Sequence, residues 1–335
     1  MDNSGWIRVT LAHEAGHVPY NFTFSPPARR VLEEYYGTRH LEQALDFPIR
    51  MAAPINKKPL YASPSEFGPA ITDEFGVVWN TSDVDRGAPI GPCLAEPNLS
   101  SYKWPDPFAE ERYAGLPEIC ERFASDYRIM WVGDLWERAT FMRGMEHLLL
   151  DVALNRAFVE ELLEGLTEYI LKTFNVLAER CAFECIAVSD DYGTQKGLLI
   201  SPDDWRALVK PRLARIYSAA KSRGFAVMHH SCGSILPIIP DMIDIGLDIL
   251  HPIQPEAMDI LHLKREFGRD ITLCGGIRTQ DLLPYGTPDE VRREVYRLKR
   301  EMGAGGGYIL EPGITLQADV PVENMVAMIE AARER

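Results

Sequence analysis

The stretch CIAVSDDYGTQKGLLISPDDWRALVKPRLARIYSAAKSRGFAVMHH, residues 185–230, decides the fold. It begins with a short apolar run at 185–191 and ends with another at 225–230, both typical of strands buried on two faces of a parallel sheet. Between them a helix is predicted to begin after Ser201, its N-cap, with Pro202 in the first position, and to end at Gly224. The stretch therefore predicts a strand, a helix and a second strand.

The same alternation extends over the whole chain. A helix is predicted after Thr287, where Glu290 completes a capping box, and another over about 155–181. Eight strands are predicted in all, at residues 18–24, 48–54, 128–133, 185–191, 225–230, 247–253, 271–277 and 307–312. Eight strand–helix units predict the α/β class, with a single (β/α)8 TIM barrel over residues 1–335. Residues 55–127 are predicted as an insertion after the second strand, a hairpin with irregular loops that covers the barrel mouth.

Composition narrows the class of partner. The chain has 35 basic and 49 acidic residues and a formal net charge of −14, which repels nucleic acid and anionic membrane surfaces. Apolar stretches fall short of the roughly 20 residues of a membrane span, and the N-terminus has no signal-peptide pattern. We therefore expect a cytoplasmic protein with six reduced cysteines whose partner is a small molecule or another protein.

Reactive side chains recur where the predicted strands end. Active sites of (β/α)8 barrels form at the C-terminal ends of the strands, so these side chains are expected to meet at one mouth. They are Asp190 and Asp191 after the fourth strand, His230 and Cys232 after the fifth, His251 in the sixth, Cys274 after the seventh and Glu311 after the eighth.

His230 and Cys232 form half of a metal site. Alternate side chains of an extended chain share a face, so an imidazole and a thiol two residues apart can bind one zinc ion. Zinc needs at least one further protein ligand, which Glu311, Asp191 or Cys274 could supply. The competing interpretation is an ordinary core histidine beside a buried cysteine that packs as a small hydrophobe.

The loop after the fourth strand, SDDYGTQKG, has polar groups suited to a substrate. We expect Asp190 or Asp191 to orient a ligand or stabilise positive charge, and Tyr192 and Gln195 to hydrogen-bond polar substrate groups. Arg278, after the glycines of CGGIRTQ, could bind an anion together with free backbone N–H groups. A helix-leading loop and a tight turn are the simpler interpretations of these two segments.

Several of these motifs resemble a known family. HHSCG, GLDILHPI, FGRDITLCGGI, GTPDEVRREV, GGGYILEPG and DVPVENMVAMIEA are similar, in order and spacing, to segments of the uroporphyrinogen decarboxylase superfamily. The resemblance covers most of the chain and is strongest from Asp151 onward. It implies a single (β/α)8 barrel, with either cofactor-free decarboxylation of a tetrapyrrole or zinc-dependent methyl transfer involving a corrinoid protein.

The methyltransferase branch fits this sequence better. The Arg-Gln-Ala-Gly-Arg segment of the decarboxylases has no counterpart in VPYNFTFSPPARR, whereas the His-x-Cys of the methyltransferases is matched by His230 and Cys232. Their further cysteine, after the eighth strand, corresponds to Ile314. The resemblance therefore implies an altered zinc site, for which we predict Glu311 as the third ligand, or loss of the metal with His230 as an acid–base group.

The predicted function is a methyltransferase or demethylase that moves a methyl group between a small substrate and a corrinoid or thiol acceptor. Its expected cofactors are zinc and a corrinoid supplied by a partner protein. Other expected partners are the small-molecule substrate and a second copy of the chain in a homodimer. Two alternatives stay open, a metal-free decarboxylase of a tetrapyrrole or another carboxylate, and a catalytically silent barrel on which a corrinoid protein docks.

Overall fold

The computed structural model describes residues 2–14 and 16–334 of the chain. In that part of the chain the strands are β1 (Ile49–Ala52), β2 (Ala70–Thr72), β3 (Val78–Asn80), β4 (Pro89–Gly91), β5 (Tyr127–Asp134), β6 (Cys185–Ser189), β7 (Ala226–His230), β8 (Ile249–Ile253), β9 (Thr272–Ile277) and β10 (Tyr308–Pro312). The α-helices are α1 (Asn3–Leu11), α2 (Pro26–Tyr36), α3 (Leu41–Ala44), α4 (Pro64–Phe67), α5 (Leu116–Arg122), α6 (Trp136–Arg143), α7 (Met145–Leu154), α8 (Arg156–Arg180), α9 (Pro202–Leu208), α10 (Lys210–Lys221), α11 (Ile239–Asp244), α12 (Ile260–Phe267), α13 (Leu282–Tyr285), α14 (Pro288–Glu301) and α15 (Val322–Arg333). Two 3₁₀ turns cover Glu110–Tyr113 and Leu236–Ile238.

Seven strands form one parallel sheet in the order β1-β5-β6-β7-β8-β9-β10. They correspond to seven of the eight predicted strands, and helices lie between consecutive strands from β5 onward. In a parallel sheet all strands end at the same edge, so the polar residues that follow β6 and β7 meet there with those in the later parts of β7, β8, β9 and β10.

The sheet curls, because one face of every strand contributes to a single buried cluster. One more member of this cluster, Ile7, comes from α1 and closes the end of the cluster opposite the polar residues. The strand residues in it are Ile49, Tyr127, Ile129, Cys185, Ala187, Met228, Ile249, Cys274 and Ile309. The larger apolar core lies between the outer face of the sheet and the surrounding helices.

The predicted first strand, residues 18–24, is not a regular strand. Tyr20 and Phe24 form two isolated parallel bridges, with Leu310 and Leu316, rather than a continuous ladder. The segment that pairs with residues 18–24 is β10 and the residues after it. Because β10 ends at Pro312, the ladder is interrupted between the two bridges. Prediction of a complete eight-stranded sheet was therefore wrong in this detail.

A seam separates residues 18–24 from β1. Among the described residues, β1 is paired in the sheet with β5 and has no ladder to residues 18–24. A cavity of about 410 Å³ lies at this seam. Its lining includes Asn21 and Phe24 on one side, Ile49 and Arg50 of β1 on the other, and Phe123 beyond the end of α5.

The predicted helix signals mostly agree with the structure. Ser201 accepts a hydrogen bond from the Asp204 amide, and Thr287 and Glu290 form the complete capping box. The helix predicted from Ser201 to Gly224 is two helices, because Pro211 cannot donate the backbone hydrogen bond that a continuous helix needs. None of the described helices is both long and apolar enough to cross a membrane.

The segment between β1 and β5 contains a small antiparallel sheet, β2-β3-β4, where a hairpin was predicted. Asp73 holds this sheet together by accepting hydrogen bonds from the Phe75 and Val77 amides and from the Trp79 indole. The same carboxylate accepts a hydrogen bond of 2.8 Å from Arg138 of α6. The inserted sheet is thereby attached to the helix that follows β5.

Candidate functional site

Two loops form one wall of the site. The loop after β6 carries Asp191 and the loop after β7 carries Cys232, whose backbone N–H donates to the Asp191 carboxylate at 2.8 Å. Gly193 and Gly233 let the two backbones touch, since a Cβ on either would overlap the opposite loop, and Gly233 has a φ of +80°. Close packing of the loops therefore fixes where the Cys232 thiol lies.

Asp191, His230 and Cys232 bring three metal-binding atoms together, and we call them the Asp191 group. Nε2 of His230 lies 3.5 Å from the Asp191 carboxylate and 3.5 Å from the Cys232 sulfur. All three ligand atoms lie within 4.8 Å of one another, and the three side chains are partly exposed at the mouth. The pair predicted from sequence is therefore brought together, with Asp191 as its neighbour.

Protonation shifts in the Asp191 group are those of an ion pair. Burial favours the neutral forms, but the hydrogen bonds with Asp191 and Cys232 raise the pKa of His230 to about 10. Burial acts likewise on Asp191, yet its hydrogen bond with His230 lowers the pKa of Asp191 to about 2. A divalent cation would take the place of the imidazole proton, because a metal-binding imidazole must be neutral.

His251, Cys274 and Glu311 form a second group, which we call the Glu311 group. The Cys274 thiol donates to the Glu311 carboxylate at 3.1 Å, and Nε2 of His251 lies 3.5 Å from the same oxygen. All three side chains are buried, and their ligand atoms also lie within 4.8 Å of one another. Glu311 thus lies with His251 and Cys274. In the described part of the chain it does not share a group with His230 and Cys232, the residues with which it was predicted to bind a metal.

The two groups meet at a pair of imidazoles. His230 and His251 are direct neighbours in the pairing of β7 with β8, and their Nδ1 atoms lie 2.9 Å apart. Trp131 of β5 lies edge-on to the His230 ring, with 6.2 Å between the ring centroids. The two histidines therefore hold each other in place and turn their Nε2 atoms towards different groups.

Asp190 does not face the mouth, contrary to its predicted catalytic position. It is buried, and one of its oxygens accepts hydrogen bonds of 2.8 Å from the Leu135 and Glu137 amides at the start of α6. Its other oxygen accepts from the Tyr192 hydroxyl at 2.8 Å. Burial raises the pKa of Asp190, and the raised pKa therefore reflects its place in the protein interior and not a catalytic role.

The predicted substrate-binding residues are dispersed. Tyr192 is fully buried, with its hydroxyl on Asp190 and its ring stacked on His229 at 5.5 Å. Gln195 is exposed in the loop after β6, and Arg278 bonds to Asp281 at 3.0 Å outside the two metal-type groups. The three side chains therefore do not line one substrate pocket, because only some residues of these loops face the mouth.

Sequence reasoning missed Arg86, Glu137 and Asn21, and it placed His251 at the mouth without giving it a role. Arg86 of the insertion pairs with the buried Glu137 at 3.0 Å, and burial together with Asp191 raises the pKa of Glu137. Asn21 donates to Glu311 at 3.1 Å. A role for His251 could have been found, since parallel neighbouring strands that each end in histidine place the two rings side by side; Arg86 and Asn21 carry no such signal.

A curled parallel sheet with imidazole, thiol and carboxylate groups at the C-terminal ends of its strands defines a barrel-type α/β protein. The family model described as "Uroporphyrinogen decarboxylase (URO-D)" matches residues 85–335. The chain therefore belongs to the uroporphyrinogen decarboxylase family.

Relatives of two kinds are similar to the chain. A uroporphyrinogen decarboxylase of Thermus thermophilus is 30% identical over 183 residues, which cover 53% of this chain and 49% of that protein. A methylated-thiol–coenzyme M methyltransferase of Methanosarcina mazei is 21% identical over 265 residues, which cover 75% of this chain and 66% of that protein. The chain thus spans about half the length of the first of these relatives and about two thirds of the second.

A solved structure shares the fold along nearly the whole chain. It is a methyltransferase from Methanosarcina mazei, with a TM-score of 0.75, 19% sequence identity, and coverage of 99% of this chain and 98% of that one.

Proposed function

We propose that the chain is a methyltransferase or demethylase of this family, which moves a methyl group between a small substrate and a thiol or corrinoid acceptor. The observation that carries the proposal is the Asp191 group, an imidazole, a thiol and a carboxylate at the ends of neighbouring strands. The Methanosarcina mazei relative, named for methylated thiols and coenzyme M, supports a thiol as one reactant.

The Asp191 group fits a zinc ion. Ligand atoms bound tetrahedrally to zinc lie roughly 3.4 to 3.6 Å apart, given the usual Zn–N, Zn–O and Zn–S bond lengths. The two distances from Nε2 of His230, to Asp191 and to Cys232, are both 3.5 Å. Three protein ligands leave one coordination position for a substrate, as in catalytic zinc sites.

In this proposal Asp191, His230 and Cys232 hold the metal, in place of the predicted set in which Glu311 was the third ligand. Bound zinc supplies Lewis acidity, which stabilises a substrate thiol as its thiolate. His251 orients the His230 ring through the 2.9 Å contact between their Nδ1 atoms. Asp190, Tyr192, Gln195 and Arg278, predicted to serve catalysis or substrate binding, have at most indirect roles here.

The finer architecture belongs to the same proposal. We take the fold to be a (β/α)8 barrel in which residues 18–24 act as the first strand, supported by their parallel bridges to Leu310 in β10 and to Leu316 after it. The insertion between β1 and β5 is proposed to cover the mouth, supported by the contact of Arg86 with Glu137. A cytoplasmic location, a corrinoid protein as partner and a homodimer are proposed with it.

Metal analysis of the purified full chain tests the proposal. We expect about one zinc ion bound by the Asp191 group, and Cys232→Ser and Asp191→Asn to weaken it by at least tenfold. The control is Cys93→Ser, which removes a half-buried thiol of the inserted segment and should leave zinc binding unchanged. Methyl transfer from a methylated thiol to free cob(I)alamin should fall with zinc binding in the same variants.

Other outcomes favour the remaining functions. Turnover of a tetrapyrrole by metal-free protein, unaffected by Cys232→Ser, would favour decarboxylation, the activity named for the Thermus thermophilus relative. Absence of any turnover together with tight binding of a corrinoid protein would favour a docking barrel. Either result contradicts zinc-dependent transfer at the Asp191 group.

A further inference from the structure

The Glu311 group has its own place in the fold. Its three side chains come from three consecutive strands, His251 from β8, Cys274 from β9 and Glu311 from β10. Each is buried, whereas the members of the Asp191 group are partly exposed. The Glu311 group therefore lies inside the barrel wall and is not an extension of the loops that carry Cys232.

Glu311 is a buried carboxylate that lacks a strong positive partner. In the described part of the chain, its ion-pair contact is with His251, and no lysine or arginine pairs with it. That contact, 3.5 Å from Nε2 of His251 to the carboxylate, is longer than a normal hydrogen bond. A carboxylate out of water is costly unless a cation or several hydrogen bonds compensate it.

The hydrogen bonds of Glu311 match those of a metal-bound carboxylate. One oxygen accepts from the Asn21 amide at 3.1 Å, an outer contact that leaves the second oxygen free to face the group. That second oxygen lies 3.1 Å from the Cys274 sulfur and 3.5 Å from Nε2 of His251. The 3.5 Å distance is close to an edge of a zinc tetrahedron, roughly 3.4 to 3.6 Å, and the 3.1 Å distance is shorter because the thiol donates a hydrogen bond to the oxygen.

We propose that His251, Cys274 and Glu311 form a second metal site, distinct from the Asp191 group, that takes a zinc-like divalent ion. Nitrogen, sulfur and carboxylate oxygen together favour zinc over the oxygen-seeking ions magnesium and calcium. A thiolate and a carboxylate carry two negative charges, which a divalent ion neutralises inside the barrel wall. Three protein ligands leave a fourth position for water or a substrate atom.

The two sites are neighbours with separate ligands. The His230 and His251 rings touch through Nδ1, and each directs its Nε2 atom to its own group. A thiol or carboxylate removed from one group therefore leaves all three ligands of the other in place. Variants can then separate this proposal from the proposed function.

Cobalt(II) binding to the full chain tests the second site, because thiolate ligands give Co²⁺ an intense charge-transfer absorption band. The Cys232→Ser variant, which damages the Asp191 group, should still bind one Co²⁺ ion and keep a thiolate band. Adding Cys274→Ser to this variant should abolish the thiolate band. Adding Glu311→Gln or His251→Gln instead should reduce its affinity for Co²⁺ by at least tenfold. Cys185→Ser, a buried thiol of the same barrel interior, is the matched control and should change nothing.

Anomalous scattering from a zinc-soaked crystal of Cys232→Ser gives a second readout that needs no additional variant. A peak among His251, Cys274 and Glu311 is expected. The proposal is overturned if Cys232→Ser alone removes the band and the peak, or if the double variant Cys232→Ser/Cys274→Ser binds Co²⁺ as Cys232→Ser does. If instead Cys274→Ser alone removes all metal and Cys232→Ser removes none, the second site stands and the proposed function fails.

Discussion

Both carboxylate oxygens of Asp190 accept hydrogen bonds inside the protein. Two backbone amides at the start of α6 and the Tyr192 hydroxyl share its two oxygens. Because Asp191 directly follows it, the pair places one carboxylate in the wall and the other at the mouth. Two acids adjacent in sequence therefore differ in exposure and in hydrogen-bond partners.

Replacement of Asp190 separates a structural from a catalytic role. Asp190→Asn keeps an acceptor for the amides, so at about pH 4, near the pKa of an unfolded carboxyl group, we expect the free energy of unfolding to change by less than about 1 kcal/mol, and we expect methyl transfer to persist. Asp190→Ala leaves the Leu135 and Glu137 amides without their acceptor and should cost roughly 2 to 4 kcal/mol. Urea unfolding measures both, and loss of activity in a stable Asp190→Asn protein would restore the catalytic role.

The same carboxyl gives a pH dependence of known sign. Burial raises the pKa of Asp190, so the folded chain holds this proton at higher pH than the unfolded chain. An acid of this kind contributes stability below its unfolded pKa, and that contribution is lost as the pH rises towards the folded pKa. Asp190→Asn should therefore gain stability relative to wild type between pH 5 and pH 8 in urea titrations, and a constant difference would contradict this.

Sequence identified which strand ends carry imidazole, thiol and carboxylate side chains but not how these side chains divide between the Asp191 group and the Glu311 group. His230 and Cys232 were found because their spacing fixes a shared face. Glu311 was assigned to them because nothing in the sequence states how far apart the ends of β7 and β10 lie around a curled sheet. That distance depends on the curl, which arises from packing of the whole interior.

At the scale of elements, α8 has a glycine at a contact with the insertion. Gly165 lies within the helix, and a Cβ there would overlap the indole of Trp104. The Trp104 ring also packs edge-on against Tyr102 at 5.1 Å. The lack of a side chain at Gly165 thus allows the segment before α5 to pack against α8 through the Trp104 indole.

A double-mutant cycle tests this contact. Gly165→Ala normally stabilises a helix by roughly 0.5 to 1 kcal/mol, but here we expect it to destabilise the protein because of the indole. In a Trp104→Ala background the same change should be stabilising. Thermal or urea unfolding of the four proteins measures the sign change, and an equal effect in both backgrounds would show that the contact does not matter.

Element prediction succeeded where the signal is local. The Ser201 and Thr287 caps depend on neighbouring residues and are present in the structure. Residues 18–24 have the composition of a strand, yet a strand also needs a continuous partner, and the chain after β10 bends away. Pairing partners distant in sequence decide such edges, and one sequence does not contain them.

At the scale of the whole molecule, α1 closes the end of the curled sheet remote from the Asp191 and Glu311 groups. Ile7 is fully buried in the interior cluster beside residues from all seven strands of the sheet. Ile7→Ala should therefore cost roughly 2 to 5 kcal/mol in urea unfolding, through lost burial and a cavity. Leu154→Ala, at a side chain that is 75% exposed, should change stability by less than about 0.5 kcal/mol, and equal losses for both would exclude this role of α1.

The seam between residues 18–24 and β1 has a consequence for the circumference of the curled sheet. Strand number and stagger fix the circumference of a fully hydrogen-bonded barrel, so its radius can change only if a ladder breaks. Here β1 is bonded to β5 alone in the described sheet, and the gap beside it contains the cavity of about 410 Å³. Among the described residues no β-ladder crosses this gap, so a change in the circumference of the sheet at the seam would break side-chain contacts and leave every ladder of the sheet intact.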